Sequence, residues 1–185
     1  MVISKNVAKG KKMKNERIYK LVLAAVFCAL VFTLTWVSIP APTVGNINLG
    51  DCMVLLSGVL LGNAYAAVAA GLGAALCDLA GGYAIYVPAT FVIKALMVVV
   101  VCLGRKYAPR GKHLSLILSA LVAEIVMILG YLIYEAFALG YGVGAVASIP
   151  FNAIQGGANI VVFVLLFTLL SRAGIVKMLT ENERK

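Results

Sequence analysis

Glu124, Tyr131 and Glu135 are seven and four residues apart, a spacing that keeps returning to one face of an α-helix. Asn152, Gln155 and Asn159 follow at i, i+3 and i+7, and again share a face. Two acids, a phenol and three amides suit a small, neutral or weakly basic polar ring compound. Amides and carboxylates bond ring nitrogens, amino groups and hydroxyls, while Tyr131, Tyr83, Tyr86 and Trp36 offer stacking faces. Asp78 and Lys94 stand earlier in the chain, placed so that they could form a salt bridge. Ionisable groups in a membrane span are costly enough to be functional suspects. The alternative is that the polar faces are glue between helices, a use that Asn and Gln also serve.

The surroundings of these residues are apolar. Of 185 residues, 63% are hydrophobic and only 12% charged, and the mean hydropathy is +1.02, which marks an integral membrane protein. The net charge of +9 does not indicate nucleic acid, because fifteen of the sixteen Lys and Arg fall in three blocks: Lys5 to Lys20, Arg105 to Lys112 and Arg172 to Lys185. Basic blocks of this kind mark the cytoplasmic side. The apolar run after the basic start lacks a small-x-small cleavage site and reads as a retained first helix. Cys28, Cys52, Cys77 and Cys102 form no CxxC pair and have no nearby His, so they read as small apolar residues inside helices. His113 lies beside Arg110 and Lys112 in a basic loop. There is no metal cluster, nucleotide-binding loop or nucleophile-base pair, so neither a cofactor nor a catalytic residue is expected. Gly71-x-Gly73 reads as close helix packing rather than a dinucleotide fingerprint.

These features predict an all-α bundle of six transmembrane helices with both termini cytoplasmic. A basic arm over 1–20, disordered or lying on headgroups, precedes a membrane domain over 21–171 and a tail over 172–185. Helix 1 is expected from Tyr19 to Ile39, with Ala25 and Ala29 four apart on a small-residue face suited to close helix approach. Pro40 and Pro42 end it, and a loop from Thr43 to Gly50 leads to Asp51, read as the cap of helix 2. The run Cys52 to Ala80 is divided at Gly62-Asn63 into helices over 51–62 and 64–80, because only that parity puts all three basic blocks on one side. Helix 4 begins at Pro88 and ends near Leu103, helix 5 spans Leu114 to Leu139, and helix 6 runs from Pro150 to Leu170.

The order of several short motifs carries a resemblance. The face Ala25-x-x-x-Ala29, the loop into Asn48-Leu-Gly-Asp51, Leu60-Leu-Gly-Asn, Ala70-Gly-Leu-Gly, Asp78-Leu-Ala-Gly-Gly-Tyr83 and Pro150-Phe-Asn-Ala-Ile-Gln155 occur in sequence. Over roughly Leu21 to Ser171 the chain resembles an S component of an energy-coupling factor (ECF) vitamin transporter. That resemblance implies high-affinity capture of a vitamin or precursor from outside. It also implies docking on a membrane coupling subunit attached to two ATP-binding-cassette ATPases, then toppling to release cargo. It assigns coupling-subunit docking to Ala25 and Ala29, and the role of lid to the loop over Pro40 to Gly50. Helices 4 to 6 and that loop would line the pocket, making Asn48, Tyr83, Tyr86, Lys94, Glu124, Tyr131, Glu135, Asn152, Gln155 and Asn159 the expected substrate-binding residues. The cargo expected is a hydroxymethylpyrimidine, thiamine or pyridoxine type of compound, with riboflavin next and anionic folate disfavoured. Cys28 within the small-residue face and the long basic arm depart from the family pattern. Two other readings stay open, an ion-coupled secondary transporter using Asp78, Glu124 and Glu135 as a relay, and a non-transporting membrane assembly subunit.

Overall fold

The computed structural model describes residues 2–40, 46–62, 64–107 and 113–182. Seven α-helices and one short hairpin are present among them. α1 spans Val2–Trp36, β1 Ser38–Pro40, β2 Asn46–Asn48, α2 Gly50–Leu60 and α3 Ala64–Ala80. α4 spans Val87–Tyr107, α5 His113–Ile133, α6 Ile149–Arg172 and α7 Ile175–Asn182. Four apolar segments are long enough to cross a bilayer, Arg17–Trp36, Ala84–Tyr107, Leu114–Ala138 and Gly142–Arg172.

Surface and interior are partitioned as a bilayer requires. Leu72, Leu76 and Leu79 of α3, Val92, Leu96 and Val99 of α4, and Val161, Leu165 and Leu169 of α6 are all exposed. Asp51, Lys94, Glu124, Glu135, Gln155 and Asn159 are all buried. Apolar stripes outside and polar side chains inside suit hydrocarbon and would be unstable in water. The chain is a multi-pass membrane protein.

α2 is the centre of the bundle. Its segment is apolar almost all round, with Gly50 to Cys52 and Val54 to Leu60 buried, and such a helix must be surrounded on every side. It packs against α1, α3, α4, α6 and the short α7. At 11 residues it is about 16 Å long, too short to span hydrocarbon, but protein covers it. Gly62, in the left-handed conformation at φ 63°, ends it. α4 satisfies two of its last carbonyls: Arg105 Nη1 donates to the Val59 carbonyl at 2.6 Å, and Cys102 Sγ donates to Gly58 at 3.6 Å.

α3 lies against α1 and α4 at close range because its inner face is alanine and glycine. A β-carbon on Gly73 would stand 2.5 Å from the Cys28 carbonyl oxygen, and one on Gly71 would stand 2.8 Å from that of Phe91. Backbone-to-backbone contact of this kind is the close packing expected from Gly71-x-Gly73. Cys28, Cys52, Cys77 and Cys102 form no disulfide, and Cys52 and Cys77 are buried.

Several expected boundaries shift. α1 continues back to Val2 instead of starting at Tyr19, so the backbone of the basic arm is helical. The loop after helix 1 contains a paired hairpin, with Ser38 opposite Asn48, Ile39 opposite Ile47 and Pro40 opposite Asn46. β-branched Ile39 and Ile47 favour that extended pairing, and Pro40 sits at a strand end, where its missing N–H is tolerated. The tail after Ser171 is not free: α7 turns back from Gly174, and Val176 and Leu179 pack against the core. The 108–112 loop and the side chain of His113 lie outside the described residues.

Candidate functional site

Four elements meet at the N-terminus of α2. Asp51, in its first turn, accepts from Lys94 Nζ of α4 at 2.5 Å, and from Gln155 Nε2 of α6 at 2.8 Å. Asn159, one turn along α6 from Gln155, accepts from the Cys52 backbone N–H at 2.7 Å. Its amide nitrogen donates to the Asn48 and Gln155 carbonyls at 2.8 and 2.9 Å. Asn48 completes the clamp: its backbone and side-chain N–H groups donate to Gln155 Oε1 at 3.1 and 3.2 Å, and its Oδ1 accepts from Gly50 N–H at 3.0 Å. The hairpin is thereby fastened to α6 and to the start of α2.

Two expectations are corrected by this arrangement. Lys94 pairs with Asp51 and not with Asp78. Asp51 makes no side-chain cap; the free N–H groups of α2 are met by Asn48 and by Asn159 from a different helix. Asp51 still lies at the positive end of the helix macrodipole, which suits its charge.

Beside the clamp is a cavity of about 370 Å³, within the usual size range of small-molecule sites. Asn48, Tyr83, Tyr86, Lys94, Tyr131, Glu135, Asn152 and Gln155 all line it. Sequence spacing had grouped Tyr131 with Glu135 and Asn152 with Gln155, and the structure brings all four to this one wall. Tyr86 sits between aromatic neighbours, its ring centroid 6.4 Å from Tyr131 and 5.8 Å from Tyr134. Its hydroxyl donates to Glu135 Oε1 at 3.3 Å. Tyr131 lies under the Lys94 ammonium, 5.5 Å from the ring centroid, and its hydroxyl shares a 3.0 Å hydrogen bond with Thr90 Oγ1. Glu135 belongs to a single π-helical turn, Tyr134–Ala138, whose wider winding moves the following side chains off the α-helical register. The Tyr134 hydroxyl, bonded to the Ile85 carbonyl, ties that turn to the short 3-10 turn, Ala84–Tyr86, just before α4.

Glu124 and Asn159 are not brought to the cavity. Seven residues of helix separate Glu124 from Tyr131 by about 10 Å, so a shared face does not mean a shared depth. Glu124 is buried against Gly156, where a β-carbon would meet its Oε2 at 3.1 Å, and neither carboxyl oxygen has a partner among the described residues. Asn159 is fully buried and uses both ends of its amide within the clamp.

The lining also includes residues not among the expected substrate contacts. Asp78 and Thr90 are the polar ones on α3 and α4, with Asn46 and Ser38 from the hairpin and Thr35 from α1. Asp78 stood out as a charge in a span, but pairing it with Lys94 hid its place on the wall. No periodicity marks the hairpin residues, because a non-helical segment reaches the cavity only by folding back over it. The expected stacking residue Trp36 does line the cavity, and is 54% exposed.

Residues 15–172 match the family described as ECF-type riboflavin transporter, S component. The chain belongs to this family. The S component is the substrate-capture subunit of an ECF-type vitamin or precursor transporter and is itself non-catalytic. It is similar to "Thiamine precursor transporter HmpT" of Lactococcus lactis subsp. cremoris, 33% identical over 172 residues that cover 90% of this chain and 96% of that protein. It is likewise 33% identical over 135 residues to "Uncharacterized protein in gap 3'region" of Pyrococcus woesei, covering 72% of this chain and 88% of that one. The S-component motifs quoted from the sequence fall within the matched residues.

Proposed function

We propose that this S component captures a thiamine-precursor type of pyrimidine, with riboflavin as the other candidate cargo. The observation that carries this reading is the cavity wall, where carboxylates, amides and tyrosine rings line one cavity of small-molecule size. The thiamine-precursor transporter among its relatives supports the pyrimidine, and the family description supports riboflavin. The eight expected residues that line the cavity are the proposed substrate contacts. Asn159 stands behind them and holds the clamp.

The proposed topology has six spans with both ends cytoplasmic. The three basic blocks support it, and α2 with α3 then make two passes, the shorter one sheathed in protein. The membrane domain covers 21–171, with the arm over 1–20 and the tail over 172–185 at the cytoplasmic face. The β1–β2 hairpin is the proposed lid, since Ser38, Pro40 and Asn46 line the cavity and Asn48 latches onto Gln155. Ala25 and Ala29 are exposed on α1 while Ala24, Phe27 and Val31 are buried, which supports docking on a coupling subunit that carries two ATPases.

Mass spectrometry of small molecules released from gently purified protein, followed by vitamin titration with Trp36 fluorescence, tests the capture reading. A stoichiometric vitamin-like compound with saturable binding is expected. No bound compound and no response across the B vitamins would favour the ion-coupled carrier or the assembly subunit. Ala25→Trp or Ala29→Trp should abolish uptake in cells at near-normal ligand affinity. Lost affinity with intact docking would place that face in the binding fold.

A further inference from the structure

Among the described residues, Lys94 is the one cation on the cavity wall, and Asp51 already holds it. The other charged groups on the wall are Asp78 of α3 and Glu135 of the π-helical turn. Glu135 accepts from Tyr86. Asp78 Oδ2 is buried with no hydrogen-bond partner among the described residues. Leaving a buried acceptor unmet is costly, and Asp78 lines the cavity, so a small turn of its carboxyl toward that space would let a ligand donor meet it. A ligand anion would meet two carboxylates and a lysine whose charge is already matched. Like charges brought together in a desolvated site are strongly disfavoured.

We infer that Asp78 is a specificity-determining residue of this cavity, accepting a hydrogen bond from a protonated or amino-bearing edge of a flat heterocycle, and that Asp78 and Glu135 together exclude ligands carrying phosphate. The inference rests on the vitamin-capture reading and sharpens it: the cargo is the unphosphorylated, donor-bearing form. Two acids on different helices would bracket such a ring while Tyr86 and Tyr131 supply its apolar contacts.

The test uses the full chain in lipid nanodiscs, titrated by calorimetry with an amino-hydroxymethylpyrimidine, its phosphate ester and riboflavin. Wild type should bind the free pyrimidine at least about a hundredfold more tightly than the ester, a ratio that one well-placed charge repulsion can supply. Asp78→Asn should weaken the pyrimidine roughly ten- to a hundredfold, as loss of a charged hydrogen bond would, and Asp78→Glu should recover part of it. Equal affinity for pyrimidine and ester, or unchanged affinity in Asp78→Asn, overturns the inference and leaves capture standing. Binding of riboflavin alone does the same. A wild type that binds none of the three removes this cargo assignment, and the inference with it. Where Asp78→Asn is not monodisperse, the wild-type comparison of pyrimidine with ester decides.

Discussion

The clamp at the start of α2 and the cavity wall beside it use the same kinds of residue to opposite ends. In the clamp, Asp51, Lys94, Asn159, Gln155 and Asn48 bond one another and the backbone, including the three of them, Lys94, Gln155 and Asn48, that also border the cavity. On the wall, among the described residues, Asp78 Oδ2 has no protein partner and the Glu135 carboxyl accepts a long hydrogen bond from Tyr86. A satisfied polar cluster in an apolar medium fixes one geometry, whereas an unsatisfied one is poised to receive a donor. Polarity within a membrane bundle therefore does not identify a site until its hydrogen bonds are traced.

Lys94→Ala should produce the largest effect, since it strands the buried Asp51 carboxylate at the centre of the fold. The expected loss is about 3–5 kcal/mol of stability, read as a fall in thermal midpoint in detergent. Replacing Asp51 and Lys94 together with apolar residues of similar size should be milder than the single change. Equal losses would mean that the pair does not hold the clamp.

Asn159→Leu comes next. It leaves the Cys52 N–H and the Asn48 carbonyl without this side chain, at an expected cost of about 1–3 kcal/mol in stability. Amide hydrogen exchange should accelerate at the start of α2 and in the hairpin. Unchanged exchange there would detach the hairpin from the clamp.

On the wall the balance should reverse. Glu135→Gln keeps the shape and the capacity to accept from Tyr86, so stability should move by less than about 0.5 kcal/mol while affinity for a donor-bearing ligand falls by about 1–3 kcal/mol. Titration and thermal melting on the same preparation separate the two. A large fall in melting temperature would assign Glu135 to the framework instead.

The smallest effect should come from Glu124→Leu, which removes a buried carboxyl with no partner among the described residues. A gain of no more than about 1 kcal/mol is expected, with cavity binding retained. Destabilisation would show that Glu124 has work elsewhere, such as the proton relay that an ion-coupled carrier requires.

Much of this was legible in the residue order. Ala64–Ala80 was delimited by Gly62-Asn63 and Gly81-Gly82, and the starts of α4 and α6 by Pro88 and Pro150, because glycine and proline act on the local backbone whatever surrounds it. Helical periodicity likewise grouped Tyr131 with Glu135 and Asn152 with Gln155. The error over Lys94 has a different origin. Asp51 and Asp78 were both available to it, and no local rule states which of two helices comes within 2.5 Å.

Composition and spacing by themselves determined that the chain is a membrane bundle, where its helices break, and which polar residues share a face. Those properties follow from solvation and backbone geometry, which act over a few residues at a time. The tertiary structure alone decided that Asn159 would cap α2, that the hairpin would latch onto Gln155, and that Asp78 rather than Glu124 would face the cavity. Each of these depends on depth and distance between segments remote in sequence. Only packing sets those, because the cost of an unmet buried polar group is settled by whichever partner the fold brings within hydrogen-bond reach.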